Sequence, residues 1–237
     1  VMPTGVILLH GKWDTPPFAV APLARVLTDA GYTVRLTVWP WALRRLYDQA
    51  LEQVHEGLAA QIAELRRSGC QRVVLCGHSL GGAVALAHAA RHGGVDALAL
   101  LAPGHFPERL ADEGLTTEAL AQARQAESAT ARMPLVDVHQ GRTRRLRVAP
   151  AVYLDYFEPV GPLVWPENTR RLAPEVPMLW VVGHGDPAAR LGMDYAFART
   201  PAHRLDRYAR IAADHATTPQ AGAAHVMDWL RTLDTTS

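Results

Sequence analysis

Lysine is all but missing from this chain of 237 residues: Lys12 stands alone, and arginine carries the remaining positive charge. Opposite charges nearly cancel, 24 Lys and Arg against 23 Asp and Glu, so no imbalance points to nucleic acid or a membrane surface as partner. Long apolar runs are lacking too. None approaches the ~20 residues of a membrane span, and no basic-then-apolar leader precedes the first apolar stretch, which implies a soluble protein. With Met2 as the native start and Val1 as an addition, the expected compartment is the cytoplasm; export with a cleaved leader is the alternative. Cysteine occurs only at Cys70 and Cys76. If the segment leading into Cys76 is extended, the two Cα atoms lie about 20 Å apart, against the ~4.4–6.8 Å that a disulfide needs, so both are expected as free thiols. Eleven histidines are present, yet histidines and carboxylates are not grouped at metal-ligand spacing. His88 and His92, one turn apart, come nearest, and no metal or cofactor site is expected.

What is present is a regular alternation of strand and helix signals. Continuous apolar runs at Gly5–Leu9, Val73–Cys76, Ala97–Ala102 and Met178–Val182 suit strands covered on both faces, whereas Thr33–Val38 alternates polar with apolar and suits a sheet edge. Between these lie helical patterns. Asp14-Thr15-Pro16-Pro17 reads as a helix start with Gly31 as its terminator, and Leu51, Val54, Leu58, Ile62 and Leu65 mark one face of a longer helix that Gly69 ends. Arg204–Ile211 is expected as the last strand, followed by a helix that Thr217, Gln220 and Pro219 would start by a capping box and an early proline. Alternation of this kind predicts a single α/β domain over residues 1–237 with a mostly parallel sheet and right-handed crossovers. The interval Glu108–Val176 is harder to read. Helical composition to Arg132 is interrupted at Gly114, Arg142, Arg144, Arg145 and Arg147 form a basic run, Ala151–Phe157 suggests another helix, and Gly161–Pro166 a loop.

The most informative stretch is Gly77-His78-Ser79-Leu80-Gly81-Gly82, set between the apolar run Val73–Cys76 and an alanine-rich helical segment. A serine on so sharp a strand-to-helix turn sits in strained backbone, and neighbours with a Cβ would collide, hence the flanking glycines. A serine that merely caps the helix is the other reading. This G-x-S-x-G in its strand-turn-helix setting resembles the α/β-hydrolase family, and the likeness extends over nearly the whole chain because further motifs fall in the family's order. It implies an α/β-hydrolase fold trimmed to about six strands, with helices on both faces and a small helical lid around residues 105–170.

The resemblance also implies roles. Ser79 would attack a carbonyl carbon and be transiently acylated. His10-Gly11, at the end of the first strand, would begin an oxyanion loop in which the backbone N–H groups of Lys12 and Leu80 face the substrate oxygen. Asp186, in Gly183-His184-Gly185-Asp186-Pro187 after a buried strand, matches the acid, with a turn-forming or capping aspartate as the alternative. His215, on the loop after the last strand, completes the order nucleophile, acid, histidine; His184 is its only competitor. Trp13, His105 and Phe106 are the expected pocket residues. Trp39, Trp41, Phe157 and Trp165 could line a pocket or fill the core.

The expected chemistry is hydrolysis of a small or medium acyl ester through a Ser-His-Asp triad and an acyl-enzyme, with no cofactor and a small molecule as partner. Thioester, lactone, amide or carbon-carbon cleavage would use the same apparatus, and a serine at the turn disfavours dehalogenation, which needs a carboxylate there. A catalytically idle binding protein is the reading from another class. Lys12 could reach an anionic substrate group, and the arginine run reads as solvated surface or, alternatively, an anion site. Oligomeric state is left open.

Overall fold

The computed structural model describes residues 2–235. Val1, the supposed addition, and residues 236–237 lie outside them. In chain order the elements are β1 (Thr4–Leu9), α1 (Ala21–Asp29), β2 (Thr33–Leu36), α2 (Leu51–Arg67), β3 (Arg72–His78), α3 (Leu80–Arg91) and β4 (Ala97–Leu101). There follow α4 (Pro107–Asp112), α5 (Thr117–Arg124), β5 (Met133–His139), β6 (Arg142–Val148), α6 (Pro150–Phe157) and α7 (Trp165–Arg171). The chain closes with β7 (Met178–Gly183), β8 (Arg207–Ile211), α8 (Thr218–Ala221) and α9 (Ala223–Asp234).

Six strands form one sheet in the order β2-β1-β3-β4-β7-β8, and every neighbouring pair is parallel. The apolar runs become its buried strands for the reason their pattern suggests. Along β1, Ile7 and Leu9 point into one core and Val6 and Leu8 into the other; β3 does the same with Val73 and Leu75 against Val74 and Cys76. One core is closed by α2, α3 and the segment between β4 and β7, through residues such as Leu58, Leu86, Tyr156 and Trp165. The other is closed by α1 and α9, through Leu23, Leu27, Trp229 and Leu230. The alternating stretch is the edge strand β2, as expected.

This strand order has a consequence for function. The chain moves outward from β1 to β2 and then returns to place β3 on the opposite side of β1, so the two connections leaving β1 and β3 diverge and open a crevice at the carboxyl end of the sheet. Ligands of open α/β sheets bind at such a reversal. The loop after β1 begins at His10 and the turn after β3 is Ser79.

Four local expectations need correction. The first helix begins at Ala21, beyond Asp14-Thr15-Pro16-Pro17, because the Asp14 carboxylate accepts from the amides of Thr15 (2.8 Å) and Ala19 (2.9 Å) and organises a turn in front of the helix. The capping box at Thr217 does not form: its hydroxyl donates to Asp214 Oδ1 at 2.7 Å, and the short α8 stops at Gly222 before α9. The segment between β4 and β7 carries the expected helices, but the arginine run lies on an antiparallel hairpin, β5–β6, which polar residues at most β6 positions had hidden. Trp165 and Pro166, the end of the expected loop Gly161–Pro166, belong to the first turn of α7. Cys70 and Cys76 are both free and buried. Among the described residues no helix is long and apolar enough to cross a membrane.

Candidate functional site

Strand β3 runs directly into Ser79, which adopts φ 55° and ψ −122°, and α3 starts at the next residue. Two close approaches make this turn depend on glycine. A Cβ on Gly77 would come within 2.5 Å of the Gly81 backbone, and one on Gly81 would strike the carbonyl oxygens of Leu9 and His10. Ser79 is the residue preceding α3, but its side chain makes no capping hydrogen bond. Its hydroxyl instead meets His215 Nε2 at 2.9 Å.

His215 reaches that position from the loop after β8, and His215 Nδ1 lies 2.7 Å from Asp186 Oδ2 on the loop after β7. A carboxylate can only accept, so the hydrogen-bonded chain assigns the proton to Nδ1 and leaves Nε2 free to accept from the Ser79 hydroxyl. All three side chains are buried. Asp186 Oδ1 also accepts from the Ala188 amide at 2.9 Å, so one aspartate both starts a 3-10 turn and holds the imidazole. The His215 loop is pinned from below: His78 Nε2 donates to the His215 carbonyl at 2.8 Å. Burial, with the neighbouring His215 adding to it, lowers the pKa of His78 to about 3, which keeps this prop neutral. His184, the competing histidine, is exposed on the loop between β7 and Asp186.

The loop after β1 lies beside the same hydroxyl; a Cβ on Gly11 would come to 3.5 Å from Ser79 Cβ. His10 donates from Nδ1 to the Gly11 carbonyl (2.9 Å) while its Nε2 accepts from the Trp39 amide (2.9 Å), and its ring stacks on Phe18. In a trans peptide the N–H points opposite to the carbonyl, so fixing Gly11 O also fixes the direction of the Lys12 N–H. Among the described residues, neither the Lys12 nor the Leu80 backbone N–H has an acceptor.

The Lys12 side chain does not do what the sequence allowed. Its ammonium is buried against Asp137 of β5 (2.6 Å) and donates to the Val138 carbonyl (2.8 Å), with the Phe157 ring 5.2 Å away, so it is committed within the protein and not offered to an anionic ligand. Burial lowers its pKa, against the opposing pull of the Asp137 charge.

Two cavities meet at this centre. One, of about 590 Å³, is lined by Ser79, His215, His105, Phe106, Leu110 and Val138 among others, with Arg109, Glu113 and Arg190 among its charged lining residues. The second, of about 420 Å³, is bounded by Trp13, Leu43, Arg142 and Arg144. His139 and Gln140, at the tip of the β5–β6 hairpin, line both. His105 and Phe106 line the first cavity, and Trp13 lines the second. By contrast Trp39, Trp41, Phe157 and Trp165 are core residues. Arg144 lies over the Trp13 ring at 4.9 Å.

Gly104, on the loop after β4, lies against the same pair: a Cβ on it would come to 2.6 Å from Ser79 Oγ and 3.0 Å from His215 Cε1. Other residues at the site were not foreseen. His139 packs edge-on against both His215 (5.6 Å) and Trp13 (5.4 Å). Asp137 carried a usable signal, since an aspartate inside the apolar run Leu135-Val136-Asp137-Val138 is costly to bury without partners. His88 and His92 do stack, together with His55 from α2, yet among the described residues no group of three or more His, Cys, Asp or Glu is arranged to hold a metal ion.

A model of the alpha/beta hydrolase family matches residues 6–232. No protein of curated function matches the chain in sequence. Among solved structures, the chain is similar to one of the metagenome-derived lipolytic enzymes LipS and LipT, with a TM-score of 0.68 at 16% identity over 98% of this chain and 94% of that one. It is also similar to a monoacylglycerol lipase from Paleococcus ferrophilus (TM-score 0.67, 18% identity, 98% and 96% of the two chains). A third likeness is to the thioesterase domain from the curacin biosynthetic pathway (TM-score 0.57, 17% identity, 97% and 91%). At these identities the likeness is one of fold.

Proposed function

The chain belongs to the alpha/beta hydrolase family, and from that premise we propose that it is a serine hydrolase cleaving small or medium acyl esters. The observation that carries this reading is the unbroken hydrogen-bonded chain from Ser79 through His215 to Asp186, at 2.9 and 2.7 Å, whose first two members line a cavity.

The reaction runs in two halves. His215 Nε2 takes the hydroxyl proton as Ser79 Oγ attacks the ester carbonyl; Asp186, whose hydrogen bond selects the Nδ1–H tautomer of the resting imidazole, stabilises the imidazolium that forms. Negative charge then gathers on the carbonyl oxygen, where the Lys12 and Leu80 amides receive it; losing one such donor typically costs about 3 kcal/mol. The tetrahedral species collapses, the C–O bond to the alcohol breaks, and His215 returns the proton to the departing oxygen. Water enters and attacks the acyl carbon as the same nitrogen takes its proton; the acyl–Oγ bond then breaks, His215 returns the proton to Ser79 Oγ, and the acid leaves. Residues 105–170 act as the lid of a single domain, their hairpin tip separating the two cavities into an acyl side and an alcohol side. A cavity of about 590 Å³ suits an acyl chain of modest length.

A panel of p-nitrophenyl esters and matched thioesters of increasing acyl length tests both the activity and the substrate class. Turnover, and labelling by a fluorophosphonate, should fall by about a thousandfold or more in Ser79→Ala and in His215→Ala. Undiminished ester turnover in the folded serine variant would refute the reading.

A further inference from the structure

Asp137 belongs to β5 and touches neither Ser79 nor His215 by any hydrogen bond, yet it is 1% exposed and accepts four hydrogen bonds. The donors are Lys12 Nζ (2.6 Å), the Trp13 indole N–H (2.8 Å), the Tyr47 hydroxyl (2.6 Å) and the Val138 amide (2.7 Å). Such a centre is not the cheapest way to fill a core. Two charges lose their hydration on burial, and apolar residues of similar volume commonly serve stability as well or better. Position is the better explanation, because two of the four donors are the consecutive residues 12 and 13.

Those two side chains leave the loop on either side of the peptide that joins them, and both end on one carboxylate. Trp13 is held at φ 56°, a conformation that a bulky residue does not adopt freely, and its amide bonds the Trp41 carbonyl at 2.9 Å. The next residue but one along β5, His139, lies against both Trp13 and His215. We propose that Asp137 is a positioning residue: by clamping the side chains of Lys12 and Trp13 it holds the Lys12 backbone N–H on the developing oxyanion, so that seating of the β5–β6 hairpin completes the site. The inference rests on the ester-hydrolase reading above.

Hydrolysis of an ester is compared with that of the matched thionoester, whose C=S carbon is attacked by the same serine but whose sulfur accepts hydrogen bonds poorly. A well-placed N–H favours the oxygen substrate. In Asp137→Asn the ester kcat should fall about tenfold or more while the thionoester kcat changes little, so that the ester preference collapses by a similar factor. KM should stay within a few-fold, and the pH profile of kcat/KM should keep its shape, because the Ser79–His215–Asp186 chain is untouched. Trp13→Phe, which retains the ring but loses the indole donor, should lower the same preference to a smaller extent. A folded Asp137→Asn protein with the original ester preference overturns the inference even if its overall activity is lower. If Asp137→Asn does not fold, an unchanged preference in Trp13→Phe overturns it instead. Ester turnover that persists in Ser79→Ala would mark failure of the underlying reading, and the inference falls with it.

Discussion

Gly104→Ala should yield a folded protein that has lost most of its activity. Gly104 lies on the loop after β4, and a Cβ there would stand 2.6 Å from Ser79 Oγ and 3.0 Å from His215 Cε1. Its φ is outside the left-handed region, so alanine meets no backbone strain. The conflict is confined to the reacting pair. Carbon and oxygen need roughly 1 Å more than this, and the Ser79 backbone cannot retreat, since its amide is bonded to the Leu101 carbonyl at 3.0 Å. The hydroxyl must therefore swing away. A displacement of about 1 Å removes its hydrogen bond to His215, and misplacement on that scale costs about a hundredfold in rate, or about 2.7 kcal/mol of barrier. Stability should suffer far less, because an off-rotamer hydroxyl costs only about 0.5–1.5 kcal/mol, a few degrees in Tm for a chain of this size. The assay pairs kcat/KM on a chromogenic ester with thermal unfolding followed by circular dichroism. Wild-type kcat/KM in a folded Gly104→Ala protein would refute the reasoning.

Acid should destabilise the fold through its buried histidines. Burial lowers the pKa of His55, His78 and His105 to about 3, and of His10 and His88 to about 4, from 6.5. The unfolded chain therefore binds protons that the folded one refuses, so stability is full above pH 6.5 and is lost as the pH falls towards 4, by up to about 1.4 kcal/mol per histidine per pH unit. Tm measured from pH 8 to pH 4 should be level at first and then drop steeply, whereas a level Tm at pH 4 would contradict the burial. The thiols should be inert: burial pushes the Cys76 thiol up to about 12, and Cys70 is buried as well. A disulfide reagent such as Ellman's, at pH 8, should count two thiols only after denaturation, and rapid labelling of the native protein would speak against this packing.

Much of the fold was legible because the sheet is covered on both faces, which turns its strands into continuous apolar runs and leaves the edge strand β2 as the one that alternates. Ser79 and its glycines could be read for a different reason: a turn this tight excludes Cβ atoms, so it restricts residue type locally. His215 and Asp186 were reached through chain order, and their hydrogen bonds join residues far apart in sequence. The hairpin escaped notice because β6 faces solvent at Arg142, Thr143, Arg144, Arg145 and Arg147, leaving only Leu146 and Val148 buried. Lys12 illustrates the limit of local reading. Its partner Asp137 lies 125 residues away, so nothing near Lys12 reveals that its charge is already spent. Among the tryptophans, core and cavity positions look alike in one dimension, since both demand large apolar side chains.

The claim on which the account turns is that Ser79 becomes covalently acylated, and it can be read directly. Mixing the protein with a slowly released p-nitrophenyl ester, quenching in acid during turnover and digesting for peptide mass spectrometry should give the acyl mass on the peptide that contains Ser79, and on that residue within it. Steady ester turnover with the acyl group on another side chain, or with no acylated peptide under conditions in which product release shows a burst, would contradict it.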